Sequence, residues 1–159
     1  MIDAALIARF RADCAIDRDY GPPIGIAVSG GPDSLALLLL AHAALPGQVY
    51  AATVDHGLRA ESAAEAAFVA QVCRDLDVPH ATLPVRVEPG NTQAQARAAR
   101  YEALGSHFAN RNVLNFATAH HADDQAETLL MRLNRGSGVA GLAGVRPWSI
   151  FFPEGVVAE

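Results

Sequence analysis

A glycine corner, Ser29-Gly30-Gly31-Pro32-Asp33-Ser34, stands between the apolar run Ile24-Gly25-Ile26-Ala27-Val28 and the leucine-rich run from Leu35 to Ala44, and few folds accommodate that order. The first run reads as a buried strand and the second as a helix. The corner therefore lies at a helix N-terminus, where unpaired backbone N–H groups and the helix dipole favour an anion. Gly30 and Gly31 supply positive φ and close backbone approach, Ser29 and Ser34 offer hydroxyls, and Asp33 offers a carboxylate able to hold a magnesium ion. A phosphate is the expected ligand; a tight βα turn with an ordinary cap is the bland alternative. A Walker A loop is excluded, because that motif needs G-x-x-x-x-G-K-[ST] and the chain has no lysine, all twelve basic residues being arginine.

The rest of the chain repeats the strand–turn–helix rhythm. Ile2, Leu6, Ile7 and Phe10 recur at helical spacing and predict an amphipathic first helix. After Pro22-Pro23 come the first strand, the corner and a helix ending before Pro46-Gly47. Val49 to Val54 reads as a second strand leading into Asp55-His56-Gly57-Leu58-Arg59. Ser62 and Glu65 have the spacing of a capping box opening a helix to about Leu76, and a third strand follows near Ala81 to Val85. Asn91 caps a helix through about Phe108, Val113 to Thr118 reads as a fourth strand with Asn115 out of character, and Asp123 caps a helix to about Leu133. Such alternation predicts an α/β fold: a doubly wound parallel sheet with helices on both faces. Ligands of such sheets bind beyond the carboxyl ends of the strands, at a topological switch point, which should bring the corner, the Asp55 loop and the His120-His121 loop together.

With 159 residues, 51% of them hydrophobic, the chain has enough apolar material for one domain, expected over residues 1–146. Trp148, Phe151 and Phe152 fall near the end without periodicity, so 147–159 is expected to be a truncated or divergent tail. Twelve basic against seventeen acidic residues give a net charge of −5, so bulk electrostatics do not favour nucleic acid and any RNA contact must come from local arginines or other protein. Cys14 and Cys73 stand alone on apolar helical patterns and are expected to be buried free thiols in a reducing cytoplasm. No apolar run is long enough for a membrane span, and no secretion signal is legible.

Three further segments carry polar chemistry. His120-His121-Ala122-Asp123-Asp124-Gln125-Ala126-Glu127 places Asp123 and Glu127 on one helical face at i, i+4, with Asp124 about 100° away. That cluster suits a magnesium ion or a cationic substrate amine, N-capping and a solvated face being the bland readings. For His120 a packed or supporting histidine competes with a direct role, and zinc is disfavoured because no third His or Cys lies at ligand spacing. Asn134-Arg135-Gly136-Ser137-Gly138 can set backbone N–H groups and one guanidinium against phosphate, or end a helix in a glycine cap. Arg97 and Arg100, at i, i+3, suit a solvated face or contact with phosphate or RNA.

The S-G-G-P-D-S corner resembles the PP-loop of the N-type ATP pyrophosphatases, which cleave ATP between the α- and β-phosphates and adenylate a substrate. Taken with V-D-H-G-L-R, A-R-A-A-R-Y, A-H-H-A-D-D-Q-A-E-T and R-G-S-G-V-A-G-L, in that order over residues 24–146, it resembles the tRNA(Ile)-lysidine synthetase family within that group. The resemblance implies an adenine nucleotide alpha hydrolase-like, Rossmann-like fold. It also implies adenylation of C2 of the wobble cytidine of a tRNA(Ile) with a CAU anticodon, followed by attack of free L-lysine and release of AMP and pyrophosphate.

On that resemblance Ser29, Gly30, Gly31, Pro32, Asp33 and Ser34 hold the ATP phosphates and magnesium, and the backbone at Val54 and Asp55 places the adenine. Asp123, Asp124 and Glu127 position metal, cytidine or the lysine amine, Asp123 sharing magnesium with Asp33. Arg97 and Arg100 face triphosphate or tRNA, Arg135 and Gly136 the phosphates, and His121 the reacting base. The family's tRNA-gripping domains are expected to be absent from this chain, and a homodimer stays open. A tRNA thiolase of the same fold is the nearest alternative, although it calls for C-x-x-C pairs, and a non-catalytic ATP-binding module is another.

Overall fold

Helices and strands alternate in the computed structural model, which describes residues 2–14, 22–55, 60–85 and 93–119. Helix α1 (Ala4–Asp13) is capped by Asp3, whose carboxylate accepts from the Ala5 amide at 2.9 Å. Ile7 and Phe10 pack against the core as their spacing predicts, whereas Leu6 is 47% exposed. Arg11 donates to the carbonyl of Ala44, 3.1 Å away, and so fastens α1 to the last turn of α2 (Pro32–Ala44), where orphan carbonyls need a donor. Cys14 follows α1 and is exposed, contrary to the expectation of burial, because it sits past the end of the packed face; Cys73 is buried.

Among the described residues the sheet holds β1 (Ile24–Ala27), β2 (Val49–Asp55), β3 (His80–Pro84) and β4 (Asn115–Thr118), all parallel, in the order β3-β2-β1-β4. Connections through α2 and then α3 (Ala60–Asp75) step the chain outward from β1 to β3. The connection through α4 (Gln93–Ala109) returns it across β1 to β4, reversing direction. Right-handed crossovers then require α2 and α3 on one face and α4 on the other.

The core divides accordingly. Ile26, Ala51 and Val49 pack with Leu38 of α2 and Val69 and Cys73 of α3. Their strand neighbours Ala27 and Ala52, turned to the opposite face, pack with Leu104 and Phe108 of α4. This is the doubly wound sheet expected from the sequence, and its switch point lies between β1 and β4.

Element boundaries differ from expectation where local chemistry intervenes. Helix α2 begins at Pro32, inside the glycine corner, because Gly31 serves as N-cap and proline is suited to the first helical position. Helix α3 begins at Ala60, ahead of Ser62, so Ser62 lies inside the helix and not at its start. Strand β4 starts at Asn115, after Val113 and Leu114.

Both α3 and α4 end in the same Schellman turn, formed without glycine. The Asp77 and Val78 amides bond to the carbonyls of Arg74 and Cys73, and those of Asn112 and Val113 to Ala109 and Phe108. Asp77 and Asn112 take the positive φ, 53° and 58°, at little cost for short polar side chains. Val78 and Val113 are then buried in the same clusters as Cys73 and Phe108.

Candidate functional site

The glycine corner emerges at the carboxyl end of β1, where the Val28 amide still bonds to the carbonyl of Ala52. Gly30 holds φ +91°, a conformation other residues adopt only with strain, and Gly31 turns the chain into α2 with extended backbone. Ser34, 5% exposed, clamps the corner from within. Its hydroxyl accepts from the Ser29 amide at 3.1 Å, donates to the Gly31 carbonyl at 2.9 Å and lies 3.2 Å from Ser29 Oγ.

The N-cap of α2 is Gly31, which has no side chain to offer the first-turn amides. A helix N-terminus favours an anion, and Asp33 lies in its first turn. Pro32 and Asp33 are exposed beside it.

A cleft of about 260 Å³ opens next to the corner. Its floor is Ala27, Val28, Ala52 and Val54 at the strand ends; Ser29 borders it from the corner. Ser62 and Glu65 approach from α3, and Arg100 and Leu104 from α4 on the other face. Such a cleft has an apolar floor for a planar group, with Ser29 of the corner and Arg100 of α4 at its border to meet charge. Among the described residues Arg100 is the cation bordering the cleft and Glu65 the acid.

Asp55 ends β2 at the rim, its carboxylate accepting from Ser62 Oγ at 2.8 Å and its carbonyl accepting from the Val85 amide at 2.8 Å. Buried Thr53, which also borders the cleft, has its hydroxyl 2.9 Å from His80 Nε2 on β3. Burial holds the His80 imidazole below its ordinary pKa, with His107 and Arg74 adding to the depression. His107 is shifted the same way by burial and by Arg111.

The structure thus brings together Ser29, Gly30, Gly31, Pro32, Asp33 and Ser34 at one turn, with Val54 in the cleft beside them and Asp55 at the end of the same strand. The arginine pair divides. Arg100 borders the cleft, whereas Arg97, exposed, lies over the ring of Tyr101, 5.4 Å from its centroid. His120, His121, Asp123, Asp124, Glu127, Arg135 and Gly136 lie outside the described residues. Among the described residues no three metal-ligating side chains cluster, and no helix is long and apolar enough to cross a membrane. Sequence reasoning missed Thr53 and Leu104, and it read Ser62 and Glu65 as a cap. The available signal was their shared helical face with Ala66 and Val69, which are buried against the sheet.

The family model described as a PP-loop domain matches residues 7–154. The chain is 55% identical over 141 residues to a tRNA(Ile)-lysidine synthase of Novosphingobium aromaticivorans, covering 87% of this chain and 43% of that protein. It is 53% identical over 134 residues to the tRNA(Ile)-lysidine synthase of Zymomonas mobilis, covering 83% of this chain and 40% of that protein. It therefore spans about two fifths of the length of these curated relatives. Among solved structures it is similar to the U34-tRNA thiolase NcsA of Methanococcus maripaludis with its [4Fe-4S] cluster, with TM-score 0.69, 17% identity and coverage of 84% of this chain and 49% of that one. An NH3-dependent NAD synthetase from Campylobacter jejuni matches with TM-score 0.59 and 16% identity, covering 80% of this chain and 60% of that one. At these identities the two structures speak to the fold alone, which they share with this chain.

Proposed function

The chain belongs to the PP-loop domain family, and from that premise we propose that it supplies the ATP-using site for lysidine formation on tRNA(Ile) with a CAU anticodon. In the proposed reaction the oxygen on C2 of the wobble cytidine attacks the α-phosphorus of ATP and pyrophosphate leaves. The amine of L-lysine then attacks C2 and AMP departs. The observation that carries this reading is the glycine turn at the carboxyl end of β1, with Gly30 at positive φ and Gly31 as N-cap of α2, whose Ser29 borders an apolar-floored cleft.

The residues have distinct tasks in this reading. Amides of the corner and the α2 dipole hold the triphosphate, and the backbone at Val54 and Asp55 faces the adenine. Asp33 would offer its carboxylate to the magnesium of ATP, an ion that would supply neutralisation of phosphate charge. Arg100 offers its guanidinium to charge building on the leaving group. Asp123, Asp124, Glu127, His121, Arg135 and Gly136 are proposed to complete the site beyond Ala119, where β4 leaves the sheet next to β1. Positioning and charge neutralisation are what the chemistry requires, and no protein nucleophile enters it. The cytoplasm, where tRNA is modified, is the proposed compartment.

Pyrophosphate release measured with ATP, magnesium, lysine and the tRNA tests the proposal. Release that depends on both tRNA and lysine supports it, and Asp33→Ala is expected to lower the rate by at least about a hundredfold, the scale of losing a charge-stabilising group. Unchanged turnover in that variant removes the assignment of the corner. Release of AMP without lysidine, or binding of ATP without release, favours the thiolase or the non-catalytic module. The two free cysteines, one exposed just after α1 and one buried in α3, give no pair of the kind sulfur transfer needs.

A further inference from the structure

Ser62 lies in the first turn of α3 and donates to Asp55 Oδ1 at 2.8 Å, joining that helix to the end of β2. A hydroxyl bonded to a carboxylate makes a charge-assisted bond, stronger than the capping bond that its spacing to Glu65 predicts. The same part of α3 also meets the glycine corner. A Cβ placed on Gly30 would stand 3.5 Å from Glu65 Cβ, 3.7 Å from Val69 Cγ2 and 3.8 Å from the Glu65 carbonyl oxygen. The first two-thirds of this helix therefore rests on both sides of the cleft, on the end of β2 through Ser62 and on the corner through Glu65 and Val69. The rim itself is anchored, because the Asp55 carbonyl accepts from Val85 of the β3 end.

We propose that Ser62 is a positioning residue for the nucleotide: its bond to Asp55 sets the seat of the α3 first turn and with it the spacing between the Asp55 rim and the Gly30 corner. Ser62 acts through Asp55 and α3. The proposal rests on the reading of the cleft as the ATP site.

Titration calorimetry of ATP with magnesium into the full 159-residue chain tests it, with Ser62→Ala, Ser62→Thr, Asp55→Asn and the double variant Ser62→Ala/Asp55→Asn. Ser62→Ala is expected to weaken ATP binding about tenfold and Ser62→Thr, which keeps the hydroxyl, by less than about threefold. In the Asp55→Asn background the alanine change should cost clearly less than in wild type, a non-additivity that general destabilisation would not produce. Should the alanine variant not fold, Ser62→Cys, a near-isosteric weak donor, gives the same readout. Wild-type affinity in Ser62→Ala, or an equal loss with and without the Asp55 carboxylate, overturns the proposal while leaving the ATP site standing. Absence of ATP binding by the wild-type chain overturns the ATP reading and this proposal with it.

Discussion

Gly25 and Gly30 meet different demands, and only one was visible along the chain. Gly30 was legible because it follows a strand and precedes a helix, where a turn with positive φ is wanted. Gly25 lies inside β1, and a Cβ there would stand 2.7 Å from the Phe108 ring on α4, a contact set by the fold and not by neighbours in sequence. Phe108 in turn stacks on Phe116 of β4, so its ring has little room to retreat. Gly25→Ala should therefore destabilise the chain by about 1–3 kcal/mol, the usual cost of overpacking, read as a lower urea midpoint at unchanged slope. An unaltered midpoint would mean that Phe108 moves freely. The arginine pair shows a similar limit. Spacing of three residues puts Arg97 and Arg100 near one helical face, yet α4 presents Arg100 to the cleft and leaves Arg97 over Tyr101.

At the scale of elements, order and type followed from hydropathy, whereas boundaries turned on side-chain chemistry that patterns do not encode. The Schellman turns after α3 and α4 carry Asp77 and Asn112 where glycine is the usual signal, and Ser62, inside α3, donates its hydroxyl to Asp55. Where β2 pairs with β3, the Thr53 hydroxyl meets the His80 imidazole, a titratable partner. His80 and His107 are both held below the ordinary value of 6.5 by burial first and by nearby cations next. The unfolded chain then binds these protons more readily than the folded one. Stability from this source is complete above 6.5 and declines as pH falls from there towards the lowered folded values. The thermal midpoint should fall on acidification through that window, and His80→Gln, whose amide can still meet Thr53, should reduce the slope. An identical slope in the variant would assign the dependence to other groups.

For the whole molecule, one reversal of strand order governs where a ligand can sit. Strands β1, β2 and β3 wind outward with α2 and α3 on one face, and the return to β4 places α4 on the other. Residues from both faces therefore meet only over the carboxyl ends, and Glu65 of α3 and Arg100 of α4 border the same cleft. The sheet and the glycine corner were readable because strand–turn–helix alternation constrains both. Of the helix residues that border the cleft, Arg100 was readable as one of an arginine pair, whereas Ser62, Glu65 and Leu104 were not, since their contribution depends on how each helix is rotated on the sheet.

Amide hydrogen exchange with and without ATP and magnesium tests the central claim most directly. The amides of Ser29, Gly30, Gly31, Asp33, Ser34 and Leu35, together with Val54 and Asp55, should exchange more slowly when the nucleotide is bound, while the far ends of α3 and α4 near Arg74 and His107 stay unchanged. Protection confined to those far ends, or none at the glycine corner at saturating ATP, would contradict it.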